Sequence, residues 1–205
     1  MRRLALVFAA FLFALPAFAE SVVPREASGT YKLDRSHTNV IFSLSHLGYS
    51  QYMGRFNTMD AKLQLNAEDL SKSQVSVTLT PASVDVNNTE LQDKLRGETF
   101  FNVAQFPEIK FESTQIVRTG RKAGTITGNL TMLGVTKPVV LNATFNDAGM
   151  NPYANVYTIG FSATATLKRS DWGMKAYVPQ VGDEVNLIIS AEFHKEEGAA
   201  TPASR

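Results

Sequence analysis

His37-Thr38-Asn39-Val40-Ile41-Phe42-Ser43-Leu44-Ser45-His46 is the stretch that decides the fold. Every second residue, Thr38, Val40, Phe42 and Leu44, falls on one face, and a period of two is the mark of a half-buried β-strand. Seven further segments repeat the pattern. Ala61, Leu63 and Leu65 alternate with polar residues, as do Val75, Val77 and Leu79, with Val84 and Val86 extending them past a kink at Pro81. Ile109 and Phe111 come next, then Gly124 to Met132 and Val139 to Phe145. Tyr157 to Leu167 and Val185 to Phe193 complete the series. Eight such strands, joined mostly by short loops, pair antiparallel. A sheet of that size closes on itself or must protect its edges. A closed barrel and a two-sheet sandwich both fit the spacing. If closed, an eight-stranded barrel is just wide enough for side chains or one slender ligand.

One segment breaks the alternation. Asn88 or Thr89 can cap a short helix carrying Leu91 and Leu95, and Gly97 stops it. Phe100, Phe101 and Phe106-Pro107 follow. This insert is apolar on one side and suited to cover a barrel end. Between β-segments, Leu47 to Phe56 holds glycines six apart and is expected as a bent crossing.

The chain of 205 residues begins with Arg2 and Arg3, an apolar run from Leu4 to Leu15, Pro16, and then Ala17-Phe18-Ala19. That is the form of a secretory signal cleaved before Glu20, and its apolar run is too short to span a bilayer. The expected layout is a signal peptide over 1–19, a loose lead-in over 20–30, one β-domain over 31–195 and a disordered tail over 196–205. There is no cysteine, so neither disulfides nor an N-terminal lipid anchor are expected. Of 20 basic side chains two lie in the signal, against 19 acidic ones, which leaves a mature formal charge of −1. Nothing in that balance attracts nucleic acid or holds the protein to an anionic membrane. A soluble periplasmic or secreted protein is the expectation.

Chemistry is sparse. The three histidines are His37, His46 and His194. His37 and His46 are nine apart, so on one regular strand they point to opposite faces and form no metal pair unless a bulge intervenes. No H-x-H, H-E-x-x-H, G-x-S-x-G or phosphate-cradling glycine loop occurs. Asp34, Ser36 and His37 fit a turn at the strand entrance better than a triad. The sequence therefore predicts no catalytic residue, no metal and no cofactor. Gly124 and Gly128 share one strand face, where they relieve crowding or widen a pore. The aromatic inventory, ten Phe and Trp positions from Phe42 to Phe193, suits either an ordinary core or a lined tunnel.

Four stretches resemble the YceI-like family of lipid- or polyisoprenoid-binding periplasmic proteins. The first is Asp34-x-x-His37 through Val40, Phe42 and Ser43 to His46-Leu47-Gly48 and Gly54-x-Phe56. The second joins Leu95-Arg96 to Phe100-Phe101-Asn102-Val103 and Phe106-Pro107-x-Ile109-x-Phe111-x-Ser113. Gly128-x-Leu130-Thr131 with Gly134-Val135-Thr136-Lys137-Pro138-Val139 is the third. Arg169-Ser170-Asp171-Trp172-Gly173-Met174 with Val181-Gly182-Asp183-Glu184-Val185 is the fourth. Together they span residues 31–193; Trp172 stands where the family usually carries phenylalanine.

The resemblance implies an all-β fold: an eight-stranded antiparallel lipocalin-like barrel with one short helical insert. It implies a carrier that transports or sequesters a long-chain amphiphile, of the polyisoprenoid or isoprenoid-quinone class, in an apolar pore. The expected ligand-binding residues are Phe42, Leu44, Phe111, Leu130, Phe145 and Phe161 along the pore, with Phe100, Phe101 and Trp172 near a mouth. His37 and His46 are expected at a polar mouth. No enzymatic activity is implied, and an open lipid mouth suits a homodimer. Two other readings stay open: a stress-related interaction protein with a packed barrel, and a small-molecule enzyme or sensor built on the His37/His46 end.

Overall fold

The computed structural model describes residues 22–196. The signal expected over 1–19 and residues 197–205 of the expected tail lie outside the described residues. The strands are β1 (Gly29–His46), β2 (Ser50–Phe56), β3 (Met59–Leu65), β4 (Gln74–Leu79) and β5 (Val84–Asp85). After helix α1 (Thr89–Arg96) come β6 (Ile109–Arg118), β7 (Ala123–Met132), β8 (Val135–Asn151), β9 (Val156–Lys168) and β10 (Glu184–Lys195). Pairing runs β1-β3-β4-β6-β7-β8-β9-β10 and back to β1, antiparallel throughout. The eight alternating segments are these eight strands, and they close into a barrel rather than a sandwich.

Two small strands were not legible as strands. β2, expected as a bent crossing, pairs with the second half of β1 from His46↔Ser50 to Val40↔Phe56. β3 then pairs with the first half, Gly29↔Leu65 to Lys32↔Lys62. The two act as one long strand broken near Asn57 and Thr58. Val84 does not extend β4. Pro81 opens a 3-10 turn, Pro81–Ser83, because its ring fixes φ and it has no N–H for the ladder. The chain past that turn forms β5, which pairs with β2 through Phe56↔Val84.

The lead-in is ordered over its described part. A 3-10 turn, Arg25–Ala27, buries Ala27 completely. Tyr31, also fully buried, donates its hydroxyl to the Ala27 carbonyl at 2.6 Å. Covering a tyrosine ring in this way is worth roughly 1.5–3 kcal/mol, so the turn is part of the core rather than a loose leader.

Alternation places the faces correctly in every barrel strand. On β1 the register Val40↔Ile189 and Phe42↔Leu187 brings apolar side chains together inside. Outward partners such as Ile41↔Ile188 separate them. β1 does not run straight: a five-residue step, Asp34 to Asn39, faces a two-residue step, Glu192 to Ser190, on β10. The excess residues form a bulge, and bulges bend a strand and re-aim its side chains. α1 is capped by Asn88, whose Oδ1 accepts from the Leu91 N–H at 2.9 Å, and ends at Gly97. Its Leu91 and Leu95 face the barrel end. Among the described residues no helix is long and apolar enough to cross a membrane.

Candidate functional site

The barrel interior is not plugged. A wide cavity of about 460 Å³ occupies the end covered by α1. A narrow cavity of about 190 Å³ occupies the other. Val40, Val77, Phe111, Leu141 and Ile189 line both, and so form a waist between them. These come from five different strands, which is how inward residues of a barrel layer meet at one level. Several inward side chains, Val40, Leu44, Leu130 and Leu187 among them, remain only half-buried although they point inside. The space they face accounts for that. The wide cavity falls within the roughly 300–1,000 Å³ typical of ligand pockets.

Phe42, Leu44, Phe100, Phe101, Phe111 and Leu130 line the wide cavity. Phe145 and Phe161 line the narrow one, which Phe111 also reaches. Two expected site residues line neither. Trp172 is 3% exposed and donates its indole N–H to the Leu130 carbonyl at 3.1 Å, so it packs behind the wall instead of facing the opening. His37 lies in the β1 bulge, far along the strand from His46, with Nδ1 2.6 Å from Asp34 Oδ2. His46 alone borders the wide cavity. The bulge separates the two histidines, so no shared histidine site stands at one mouth.

Gly128 widens nothing. A Cβ there would stand 2.4 Å from Phe111 Cζ and 2.6 Å from the Glu112 carbonyl oxygen. The glycine makes room for the Phe111 ring, and that ring narrows the waist. Gly54 does the same for Phe42.

The polar groups of the wide cavity are His46, Tyr52, Lys94, Arg169 and Tyr177, with no carboxylate among them. Most are committed to protein partners. Arg169, 5% exposed, donates from Nε to the Gly182 carbonyl at 2.8 Å and from Nη1 to that of Met174 at 3.0 Å. Its Nη2 reaches the carbonyls of Ala176 at 2.8 Å and Val181 at 2.9 Å. One guanidinium thus pins the whole segment from 174 to 182 over the cavity; its burial lowers its pKa, opposed by nearby Asp183. Asp183 accepts from Ser170 Oγ at 2.7 Å and Ser170 N–H at 2.9 Å, and these bonds hold its carboxyl below the ordinary range. Lys94 Nζ donates to the Tyr177 hydroxyl at 2.8 Å, and the Tyr177 ring stacks on Phe100. Tyr177 holds a left-handed φ of 61°, a conformation that costs a bulky residue energy and is kept only when its surroundings enforce it.

The narrow cavity ends among Arg118, Arg121 and Lys122 of the β6–β7 hairpin. Arg118 Nη1 is buried without a hydrogen-bond partner. Sequence reasoning passed over both buried cations, yet the signal was there. The inward parity of β9, from Phe161 to Leu167, continues to Arg169. That of β6 runs from Ile116 to Arg118.

The YceI-like domain pattern matches residues 31–193. A UPF0312 protein of Ectopseudomonas mendocina is 41% identical over 164 residues, covering 79% of this chain and 85% of the relative. One from Photorhabdus laumondii is 36% identical over 172 residues, 83% of this chain and 88% of its own. Among solved structures, the Campylobacter jejuni YCEI protein has a TM-score of 0.68 at 27% identity, covering 75% of this chain and 90% of that one. Two more distant structures share the fold. Burkholderia cenocepacia BcnA gives a TM-score of 0.71 at 21% identity over 78% of this chain and 98% of its own. A polyisoprenoid binding domain from Saccharophagus degradans gives 0.63 at 12% identity over 81% and 98%. By family pattern, relatives and barrel together, this chain belongs to the YceI-like family.

Proposed function

We propose that this protein is a binding protein that sequesters one long-chain amphiphile of the polyisoprenoid class and carries it through the periplasm. The observation that carries this reading is the hollow, apolar, two-chambered barrel. The fold is shared with a polyisoprenoid binding domain, which supports a lipid as the class of ligand. An apolar tail leaving water gains roughly 0.8 kcal/mol per methylene. About ten methylenes give roughly 8 kcal/mol gross, on the order of micromolar affinity before association costs. Tail burial is enough to hold the ligand; head-group contacts set direction.

The polar groups favour binding over catalysis, because Arg169, Lys94 and Tyr52 already hold protein partners. They also favour one orientation. At the narrow end Lys122 donates to the Asn146 carbonyl at 2.8 Å, but Arg118 and Arg121 have no acidic partner among the described residues and Arg118 Nη1 has no hydrogen-bond partner, so a polar or anionic head finds donors there. The tail then runs past the waist into the wide cavity.

Organic extraction of protein purified from the periplasm of an exporting host, followed by mass spectrometry, tests the reading. A stoichiometric isoprenoid-type lipid is the expected result. Protein that is repeatedly empty and takes up no added polyprenyl lipid would overturn it.

A further inference from the structure

The barrel's outer wall carries a group of side chains that the cavities do not use. Asp34 and Glu192 are direct partners across the seam between β1 and β10. Their neighbours Leu33 and Phe193 point into the core, so both carboxylates stand on the outer face. His194 is two residues beyond Glu192 on β10 and shares that face. The β1 bulge then folds His37 back over Asp34. Two pairs of residues remote from each other in sequence, Asp34 with His37 and Glu192 with His194, meet at the line where the first and last strands close the barrel.

One ligand atom from each of Asp34, His37 and Glu192 lies within 4.8 Å of the other two. His194 adds a second observation. Its Nε2 is buried and lies 3.2 Å from Asp34 Oδ2, but outside hydrogen-bond geometry and with no other partner. The local charges suit a cation: Asp34 and Glu192 are both acidic, while Arg35 next door is engaged by Asp60 at 2.9 Å. Lys32, across from His194 on β1, is the nearest competing cation in register.

We propose that Asp34, His37 and Glu192 bind a divalent transition-metal ion of the zinc type, with water completing a four-coordinate shell, while His194 Nε2 stands against Asp34 Oδ2 outside that set. Mixed imidazole and carboxylate donors select such an ion over calcium or magnesium, which take oxygen ligands. The ion replaces the proton that His37 Nδ1 shares with Asp34, and the half-open His37 ring has the freedom to move outward to make room. Bound there, the metal ties β1 to β10 and fastens the closure of the barrel. Its role is independent of what fills the cavities.

Titration of the chelator-treated intact chain with zinc, followed calorimetrically, is the test, with cobalt absorption as the second readout. One zinc per chain, a raised melting temperature at saturation and visible cobalt bands of four-coordinate form are expected. Glu192→Gln and His37→Gln each weaken zinc binding at least tenfold while leaving the far-UV spectrum unchanged. Zinc that does not bind, or that binds both variants as tightly as the parent, overturns the proposal. Should neither variant fold, wild-type protein without cobalt bands in the visible overturns it alone.

Discussion

The two ends of this barrel are built from the same strands and differ in how their cations are used. At the wide end Arg169 is saturated by four backbone carbonyls, and the exposed Lys94 donates to the Tyr177 hydroxyl. At the narrow end Lys122 is likewise engaged, by the Asn146 carbonyl, so the difference lies in the arginines: Arg118 Nη1 is buried with nothing to bond. A buried cation whose donors are all satisfied is part of the architecture, whereas one left short invites a ligand. Volume therefore marks where a tail fits, and unsatisfied donors mark where a head belongs. Substitutions that act at one end and spare the other test this division.

The largest contrast is in uptake. Leu130 lines only the wide cavity, so Leu130→Arg sets a charge where the tail lies and is expected to abolish binding of a polyprenyl lipid. Ala163 lines only the narrow cavity. Ala163→Leu fills part of that space, so long-tailed ligands lose affinity several-fold and short ones keep theirs. Displacement of a fluorescent lipid probe by ligands of graded length, on variants with unchanged circular dichroism, reads both effects. Equal loss for all lengths in the two variants would mean that the waist does not divide the interior.

Stability gives the next contrast. Arg169→Met leaves four carbonyls of the 174–182 segment without their donor, at about 1–3 kcal/mol for each one that water does not reach. The expected total is about 3–5 kcal/mol, read from urea denaturation midpoints. Arg118→Met removes a donor that has no partner, so its midpoint is expected to stay within about 0.5 kcal/mol of the parent. The same variant is expected to lose its preference for an anionic over a neutral amphiphile. A large loss of stability in Arg118→Met would assign that arginine to the architecture as well.

At the waist, Gly128→Ala puts a methyl group against the Phe111 ring and the Glu112 carbonyl. The ring can turn, but the carbonyl belongs to the paired strand and yields less. Overpacking of that kind costs about 1–3 kcal/mol. Phe111→Ala with Gly128→Ala recovers part of the loss if the ring is the main obstacle and none of it if the backbone is.

How far the sequence reveals these regions follows from what each depends on. The barrel faces were legible because period-two alternation survives in every long strand, even where β6 and β8 carry bulges. β2 and β5 were hidden because a seven-residue strand holding Gly54, and a two-residue one, leave too little pattern. The lining aromatics could be named from parity. Trp172 could not, since it follows the end of β9, in a 3-10 turn where parity no longer tells inside from outside. The His37 cluster was the least legible. Its geometry depends on a bulge in which a five-residue step on β1 faces a two-residue step on β10, and on pairing the chain's first described strand with its last.

The smallest effect is one of pH, and it belongs to the wide end. Ser170's hydroxyl and N–H hold the Asp183 carboxyl below its ordinary value. A group whose folded pKa is depressed adds stability above its unfolded pKa, near 3.9 for aspartate, and loses it as pH falls through the folded value. Asp183 is also the residue whose carbonyl accepts the Arg169 N–H at 2.9 Å, so its loosening frees the segment that roofs the wide cavity. Below about pH 4 the wide end is expected to open before the barrel melts, with amide exchange rising over residues 174–182 ahead of β7 and β8. Asp183→Asn lacks that acid-dependent step, because its amide does not titrate. Exchange that rises at both ends together, in parent and variant alike, would show acid acting on the whole barrel and not on this one carboxylate.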